Sequence, residues 1–139
     1  MNKKPKYCRL VFRCLLVLGF ISARPAVSQE VRMLEPDSFY ISMHMAVEPL
    51  LVDVRPARDY RKERIPDAVS APRSQKLFRL TDSLDAEHPI YLYCDDESRS
   101  GQAAEMLLEK GFSNLIVLKN GLLGWKLTGL PVDDRRRRR

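Results

Sequence analysis

The sequence contains few cysteines, and their positions limit its chemistry. Three of the 139 residues are cysteine, and Cys8 and Cys14 both lie close to the N-terminus. Cys94 is the single thiol of the remaining chain. One cysteine excludes a disulfide within that part and lacks the resolving partner of a Cys-x-x-Cys pair. We therefore expect either a free reactive thiol or an intermolecular bridge.

Histidine is equally scarce, which argues against a metal centre. Of the two histidines, His44 lies between Met43 and Met45, and His88 precedes Pro89. Neither has cysteines or clustered carboxylates at the spacing of metal ligands. The sequence therefore predicts no metal site.

The sequence has only a short apolar run near its start. Residues 14–21 are apolar, too few to cross a membrane comfortably. Small residues follow at Ala26 and Ser28, and the preceding segment carries basic residues Lys3, Lys4, Lys6, Arg9 and Arg13. This pattern predicts a signal peptide over residues 1–28, a mature start at Gln29 and a periplasmic or secreted protein with no membrane span after cleavage. An uncleaved N-terminal anchor is the alternative.

The positive charge of the chain belongs to its two ends. The formal net charge is +6, yet residues 29–134 hold 13 basic and 18 acidic residues, a net charge of −5. This segment gives no reason to expect a nucleic-acid partner. Residues 135–139 are five arginines, for which we expect a disordered tail. The tail is either a solvated terminus or cloning remnant, or a tether to anionic lipid or polysaccharide.

The hydrophobic pattern predicts one α/β domain over residues 29–134. No internal repeat is visible, and about 105 residues suffice for one core. Apolar runs predict strands at 31–34, 50–54, 68–71, 90–93 and 115–118. Helical patterns occupy 36–47, 58–61, 76–84, 100–110 and 122–127. Alternating strands and helices predict an open parallel sheet of about five strands with helices on both faces.

Cys94 lies where such a fold places its ligands. It follows the strand 90–93 and precedes a helix, at the carboxyl end of the sheet. Backbone N–H groups of such a turn, with the positive end of the helix, favour a thiolate or an anion bound to the sulfur. We expect Arg99 either to add charge or to lock the loop by bonding its carbonyls.

Three carboxylates beside the thiol can act in either direction. If Asp95, Asp96 and Glu97 face the pocket, they disfavour the thiolate and repel anions. If they splay outward, they serve as first-turn acids of the helix, with Ser98 or Ser100 as its cap.

Two charged residues, Asp53 and Arg55, lie at the carboxyl end of the predicted strand 50–54. Asp53 is within the strand and Arg55 follows it, and we expect both to hold loops at the sheet edge. A surface ion pair worth about 0–1 kcal/mol is the alternative.

Several segments, in order, carry a resemblance to a known family. The chain resembles the single-domain rhodaneses, the thiosulfate sulfurtransferase type, of the exported kind. The matching segments are Leu51-Val52-Asp53-Val54-Arg55 with Asp59-Tyr60, Ile65-Pro66-Asp67-Ala68, Cys94 to Ser100, and the closing Gly111-Phe112, Leu118, Gly121, Trp125 and Gly129-Leu130-Pro131-Val132.

The resemblance implies a catalytic Cys94 and a sulfur-carrying loop from Asp95 to Ser100. The thiolate takes a sulfane sulfur from a donor such as thiosulfate, and a thiol or cyanide acceptor removes it, without metal or organic cofactor. Four residues separate Cys94 from Arg99, one fewer than in cysteine phosphatases of similar fold, which favours sulfur over phosphate.

The sequence also departs from the family's pattern. Glu97 replaces a frequent glycine, so a positive φ there would be strained. Glu63-Arg64 and Asp67 replace a Gly-His pair and a glycine. The acidic loop puts thiosulfate in question and suits a less anionic donor or a persulfide from a partner protein. A catalytically idle binding module and a single-cysteine redox protein remain alternatives.

Overall fold

The computed structural model of the protein describes residues 30–134. The predicted signal peptide at 1–28, the predicted mature start and the arginine tail at 135–139 lie outside the described residues. Within residues 30–134, no helix has the length and apolar character needed to cross a membrane.

A five-stranded parallel sheet forms the centre of the domain. Its strands lie in the order β1-β6-β5-β2-β4, and every pair is parallel. The strands are β1 (Glu30–Leu34), β2 (Leu50–Asp53), β4 (Val69–Ser70), β5 (Ile90–Tyr93) and β6 (Asn114–Leu118), with β3 (Glu63–Arg64) and β7 (Asp133–Asp134) in a separate ladder. The predicted open parallel sheet is confirmed.

Five helices connect the strands. They are α1 (Pro36–Met45), α2 (Ala57–Lys62), α3 (Ser74–Thr81), α4 (Ser98–Glu109) and α5 (Gly121–Leu127). Each predicted element exists, and only the ends differ, as expected because helix and strand termini carry the weakest sequence signals.

Alternation along the strands assigns each helix to one face of the sheet. In β5, Ile90 and Leu92 face one apolar cluster, whereas Tyr91 and Tyr93 face the other. Helices α3 and α4 cover the first face, and α1 and α5 cover the second. Helices on both faces explain why β5 is apolar throughout and fully buried.

The antiparallel ladder between β3 and β7 was not predicted. Glu63 pairs with Asp134 and Arg64 with Asp133, so each strand has only two residues. Such short strands show no periodicity, and their pairing arises from tertiary structure. The ladder fixes β3 next to the edge of the sheet that carries the thiol.

Candidate active site

Cys94 lies immediately after β5, at the carboxyl edge of the sheet. Its side chain is only 2% exposed. Residues 94–97, here called the thiol loop, connect β5 to α4, which begins at Ser98. The predicted position of the thiol, between a buried strand and a helix N-terminus, is therefore confirmed.

Donor groups of the loop and helix converge on the Cys94 sulfur. The backbone N–H of Glu97 donates to Sγ at 3.2 Å, and that of Ser100 at 3.3 Å. Both groups belong to the positive end of α4. Such donors stabilise negative charge on the sulfur, whether it resides on a thiolate or on an attached sulfur atom.

Ser100 contacts the same sulfur through its side chain. The residue is fully buried, and its hydroxyl oxygen lies 3.2 Å from Sγ of Cys94. The hydroxyl also donates to the Glu97 carbonyl at 3.0 Å. When the thiol ionises, this hydroxyl can turn its proton toward the sulfur.

The predicted helix cap was wrong. The cap position is Glu97, in a left-handed conformation, and its own side chain does not cap α4. Ser98 is the first helical residue, and Ser100 lies inside the first turn. A capping serine would have to lie immediately before the helix. The helix begins at Ser98, two residues before its predicted start at Ser100, so both serines lie inside it.

The three carboxylates face different partners. Asp95 is 67% exposed and accepts from Arg55 at 3.4 Å, so it points away from the sulfur. Asp96 points toward the thiol, which donates to its carboxylate over 3.7 Å. All three acids, including Glu97, precede the helix, so their predicted place in its first turn was wrong.

Asp96 remains ionised beside the sulfur. Its carboxylate accepts from the Ser98 hydroxyl at 2.8 Å and from the Ser98 backbone N–H at 3.1 Å. These bonds, chiefly the one from the hydroxyl, lower the pKa of Asp96 below its ordinary value. A negative charge therefore stands at the entrance to the thiol.

Glu97 occupies the strained backbone conformation that its sequence position suggested. Its φ is 91°, in the region that favours glycine. Its side chain points away from the thiol, and the carboxylate accepts a hydrogen bond from the backbone N–H of Asn120 at 2.7 Å. The sequence indicated strain there only on the condition of a positive φ, and it gave no signal for this partner because the two residues are 23 positions apart.

Arg99 does not lock the loop. Its side chain is exposed and, within the described part of the chain, forms no hydrogen bond or ion pair. Together with Arg73 it lines a cavity of about 100 Å³ between α3 and α4. The interpretation that Arg99 locks the loop by bonding its carbonyls was wrong. The alternative, that Arg99 adds positive charge near the loop, stays a prediction.

Asp53 and Arg55 form a buried pair that supports the thiol loop. Nη2 of Arg55 lies 2.7 Å from Asp53 Oδ2, with the side chains 2% and 0% exposed. Arg55 also donates to the Glu63 carbonyl at 2.7 Å and reaches Asp95. The pair is thus buried and not at the surface, and its bonds to Glu63 and Asp95 are those that a loop-holding role requires.

The surroundings keep Arg55 charged and its neighbour Tyr93 neutral. Burial lowers the pKa of Arg55, but the hydrogen-bonded Asp53 carboxylate outweighs it, so the net shift is upward and the guanidinium stays charged. Burial, followed by the nearby Asp53 charge, raises the pKa of Tyr93. Its neutral hydroxyl accepts the backbone N–H of Ile65 at 3.1 Å.

Among residues 30–134, no group of three or more histidine, cysteine, aspartate or glutamate side chains has the arrangement of a metal site. The Cys94 thiol lies in a cradle of backbone donors.

A parallel α/β sheet that carries a thiol in a cradle between strand and helix defines a protein of the rhodanese type. The family profile described as Rhodanese-like domain matches residues 39–128. The chain therefore belongs to the rhodanese-like family.

Curated relatives and solved structures agree with this assignment. A sulfurtransferase of Allochromatium vinosum is 30% identical over 100 residues, covering 70% of this chain and 92% of that protein. Thiosulfate sulfurtransferase GlpE of Actinobacillus pleuropneumoniae is 31% identical over 99 residues, covering 67% and 91%. The rhodanese-like domain of the Anabaena protein Alr3790 superimposes with a TM-score of 0.66 at 25% identity, covering 77% and 82%.

Proposed function

We propose that the protein is a sulfurtransferase that carries a sulfane sulfur on Cys94 as a persulfide. The observation that carries the proposal is the cradle around the sulfur, in which two backbone N–H groups and one hydroxyl lie within 3.3 Å of Sγ. The sulfurtransferase names of the relatives from Allochromatium and Actinobacillus support the same chemistry.

The reaction proceeds by double displacement. The Cys94 thiolate attacks the outer sulfur of the donor, a new S–S bond forms, and the donor's S–S bond breaks with its electron pair leaving on sulfite or a thiolate. An acceptor thiolate or cyanide then attacks the outer sulfur and releases the Cys94 thiolate. The atoms and electrons balance without a metal or an organic cofactor.

Asp96 bears on which donor the site accepts. Its ionised carboxylate lies 3.7 Å from Sγ, so a dianionic donor such as thiosulfate meets repulsion as it approaches. The sulfane group of a persulfide, presented by a thiol compound or a partner protein, carries at most one negative charge, against two on thiosulfate. We propose such a persulfide as the preferred donor, with thiosulfate a slower one.

The place of the reaction follows from the sequence pattern. We propose that residues 1–28 direct export and that the domain acts in the periplasm or outside the cell. The partners are then a small sulfur donor and a thiol acceptor, or a protein that delivers a persulfide. Comparing the N-terminus of secreted and cell-retained protein by mass spectrometry tests this step.

Turnover assays with two donors test the function. Purified residues 29–139 are supplied with thiosulfate or glutathione persulfide, and thiocyanate formation from cyanide is followed after subtracting the reaction without protein. Cys94→Ser is the control, because it keeps the size of the side chain and removes the nucleophile. We expect activity that depends on Cys94 and is faster with the persulfide.

Inactivity of the wild-type protein with both donors would overturn the enzymatic function. The acidic side of the thiol loop would then favour the alternative of a binding module that recognises a cationic group.

A further inference from the structure

We propose that Glu97 is a positioning residue, whose carboxylate anchors the thiol loop so that its own backbone N–H stays on the Cys94 sulfur. The proposal rests on the sulfurtransferase function proposed above, but its test also reports on the thiol itself.

The anchor is a hydrogen bond across the active-site edge. Oε2 of Glu97 accepts the backbone N–H of Asn120 at 2.7 Å, from the residue that precedes α5. At the same time the Glu97 N–H donates to Sγ at 3.2 Å. One residue therefore joins the thiol to the turn between β6 and α5.

Two further contacts hold the loop against the same turn. The N–H of Leu122 donates to the Cys94 carbonyl at 2.8 Å. Gly121 lies so close that a Cβ there would overlap the carbonyl groups of Cys94 and Asp95. The bond from the Asn120 N–H to the Glu97 carboxylate adds a side-chain contact between the same loop and turn.

The backbone of Glu97 explains why an anchor is needed. With φ at 91° the residue lies in a backbone region that residues with a side chain rarely adopt, so its conformation is strained. An L-residue without an anchor would relax toward negative φ, and its N–H would rotate away from Sγ. A charge-assisted bond to Asn120 N–H opposes that relaxation.

A set of substitutions at one position separates the anchor from the charge. Glu97→Gln keeps an oxygen that can accept from Asn120 but removes the charge. Glu97→Ala removes both the acceptor oxygen and the charge but keeps a side chain at the disfavoured φ. Glu97→Gly also removes both, and glycine adopts that φ without strain. Glu105→Gln, on the exposed side of α4, controls for the loss of one acidic charge.

Two readouts are measured on each folded variant: the rate of Cys94 alkylation by iodoacetamide at neutral pH, and the rate of sulfur transfer. Thermal unfolding is recorded in parallel, so that a merely structural effect is recognised. Losing the acceptor for the Asn120 N–H should slow both rates in Glu97→Ala by about tenfold relative to Glu97→Gln, which keeps a neutral acceptor. Glu97→Gly should fall between them, and Glu105→Gln should match the wild type.

Equal rates in Glu97→Ala and Glu97→Gln would overturn the proposal, because the two variants share the charge loss and differ in the acceptor. A lower unfolding temperature with unchanged alkylation of the folded protein would do the same. Failure of the wild type to transfer sulfur would overturn only the proposed function, since the alkylation series still tests Glu97.

Discussion

At the scale of single residues, three neighbouring carboxylates act at three different places. Asp95 reaches the buried Arg55, and Glu97 binds the backbone of Asn120. Only Asp96 faces the thiol. The acidic character of the loop therefore opposes anionic donors mainly through one residue.

Replacing Asp96 by asparagine should make the protein faster with thiosulfate. Asparagine retains an oxygen for the Ser98 bonds and removes the charge beside the sulfur. We expect thiosulfate turnover to rise by about fivefold, with a weaker dependence on salt, since screened Coulomb repulsion is worth about 1 kcal/mol at such distances. Sulfite release at low and high ionic strength measures both effects.

Asp85→Asn, an exposed change at the opposite end of β5, should leave the rate and its salt dependence as they are. If Asp96→Asn behaves like that control, the Asp96 charge does not govern donor entry.

The pair of Asp53 and Arg55 should contribute strongly to stability. Asp53→Asn leaves the guanidinium buried beside a neutral amide, and breaking a buried pair costs about 3–5 kcal/mol. Denaturant unfolding of Asp53→Asn should therefore show a loss of about 3 kcal/mol.

Asp59→Asn provides the comparison, because its ion pair with Arg58 is exposed, with the Arg58 side chain 88% accessible. We expect a loss of at most about 0.5 kcal/mol there. Similar losses of unfolding free energy in Asp53→Asn and Asp59→Asn would contradict the claim that the buried pair contributes more to stability than the exposed one.

At the scale of elements, the β6–α5 turn supports the thiol loop from the side. Gly121 begins α5 with φ at 53° and leaves no space for a Cβ against the loop carbonyls. The turn and the loop therefore form one unit, although they are separated by the whole of α4 and β6.

Gly121→Ala should displace the thiol loop. Overpacking and a disfavoured φ together predict a loss of about 3 kcal/mol in unfolding free energy. Sulfur-transfer activity should fall as well, because the loop carries the Cys94 sulfur and the Glu97 N–H that donates to it. Denaturant unfolding and turnover are measured on the same preparation.

Gly101→Ala is the matched control. Gly101 lies within α4, and a Cβ there meets nothing within 4 Å. Helix propensity predicts a gain of about 0.5–1 kcal/mol. Gly121→Ala protein with wild-type stability and rate would contradict the close packing of loop and turn.

The elements also show how far the sequence leads. The apolar run of β5 and the amphipathic pattern of α4 are local signals, and both elements were predicted close to their observed bounds. The ladder of β3 with β7 depends on residues about seventy positions apart and has no local signal. Sequence reasoning therefore found the strand and helix around the thiol but not the ladder beside Arg55.

Residues with positive φ are a second feature that the sequence predicted only in part. Glu97 and Asp67 adopt φ of 91° and 64° at positions where the family resemblance expects glycine. A positive φ was considered for Glu97, where a frequent glycine is replaced, whereas none was predicted for Asp67. The bond from Asn120 to Glu97 joins residues 23 positions apart, so it has no local sequence signal.

At the scale of the whole molecule, the two apolar clusters hold the sheet edge in place around the sulfur. Cys94 belongs to the cluster covered by α3 and α4, and the buried Trp125 belongs to the other. The indole of Trp125 donates to the Pro131 carbonyl at 2.9 Å, which ties α5 to the segment before β7. The site is thus built on elements fixed by burial on both faces.

The central claim is that Cys94 carries a sulfur atom, and intact-mass measurement of the protein tests it most directly. Residues 29–139 are incubated with glutathione persulfide or thiosulfate, desalted and weighed, alongside Cys94→Ser. We expect the wild-type mass to rise by one sulfur atom, which peptide mapping assigns to Cys94. A thiol acceptor should remove this sulfur, and Cys94→Ser should show no gain. A wild-type mass unchanged by both donors would contradict the central claim.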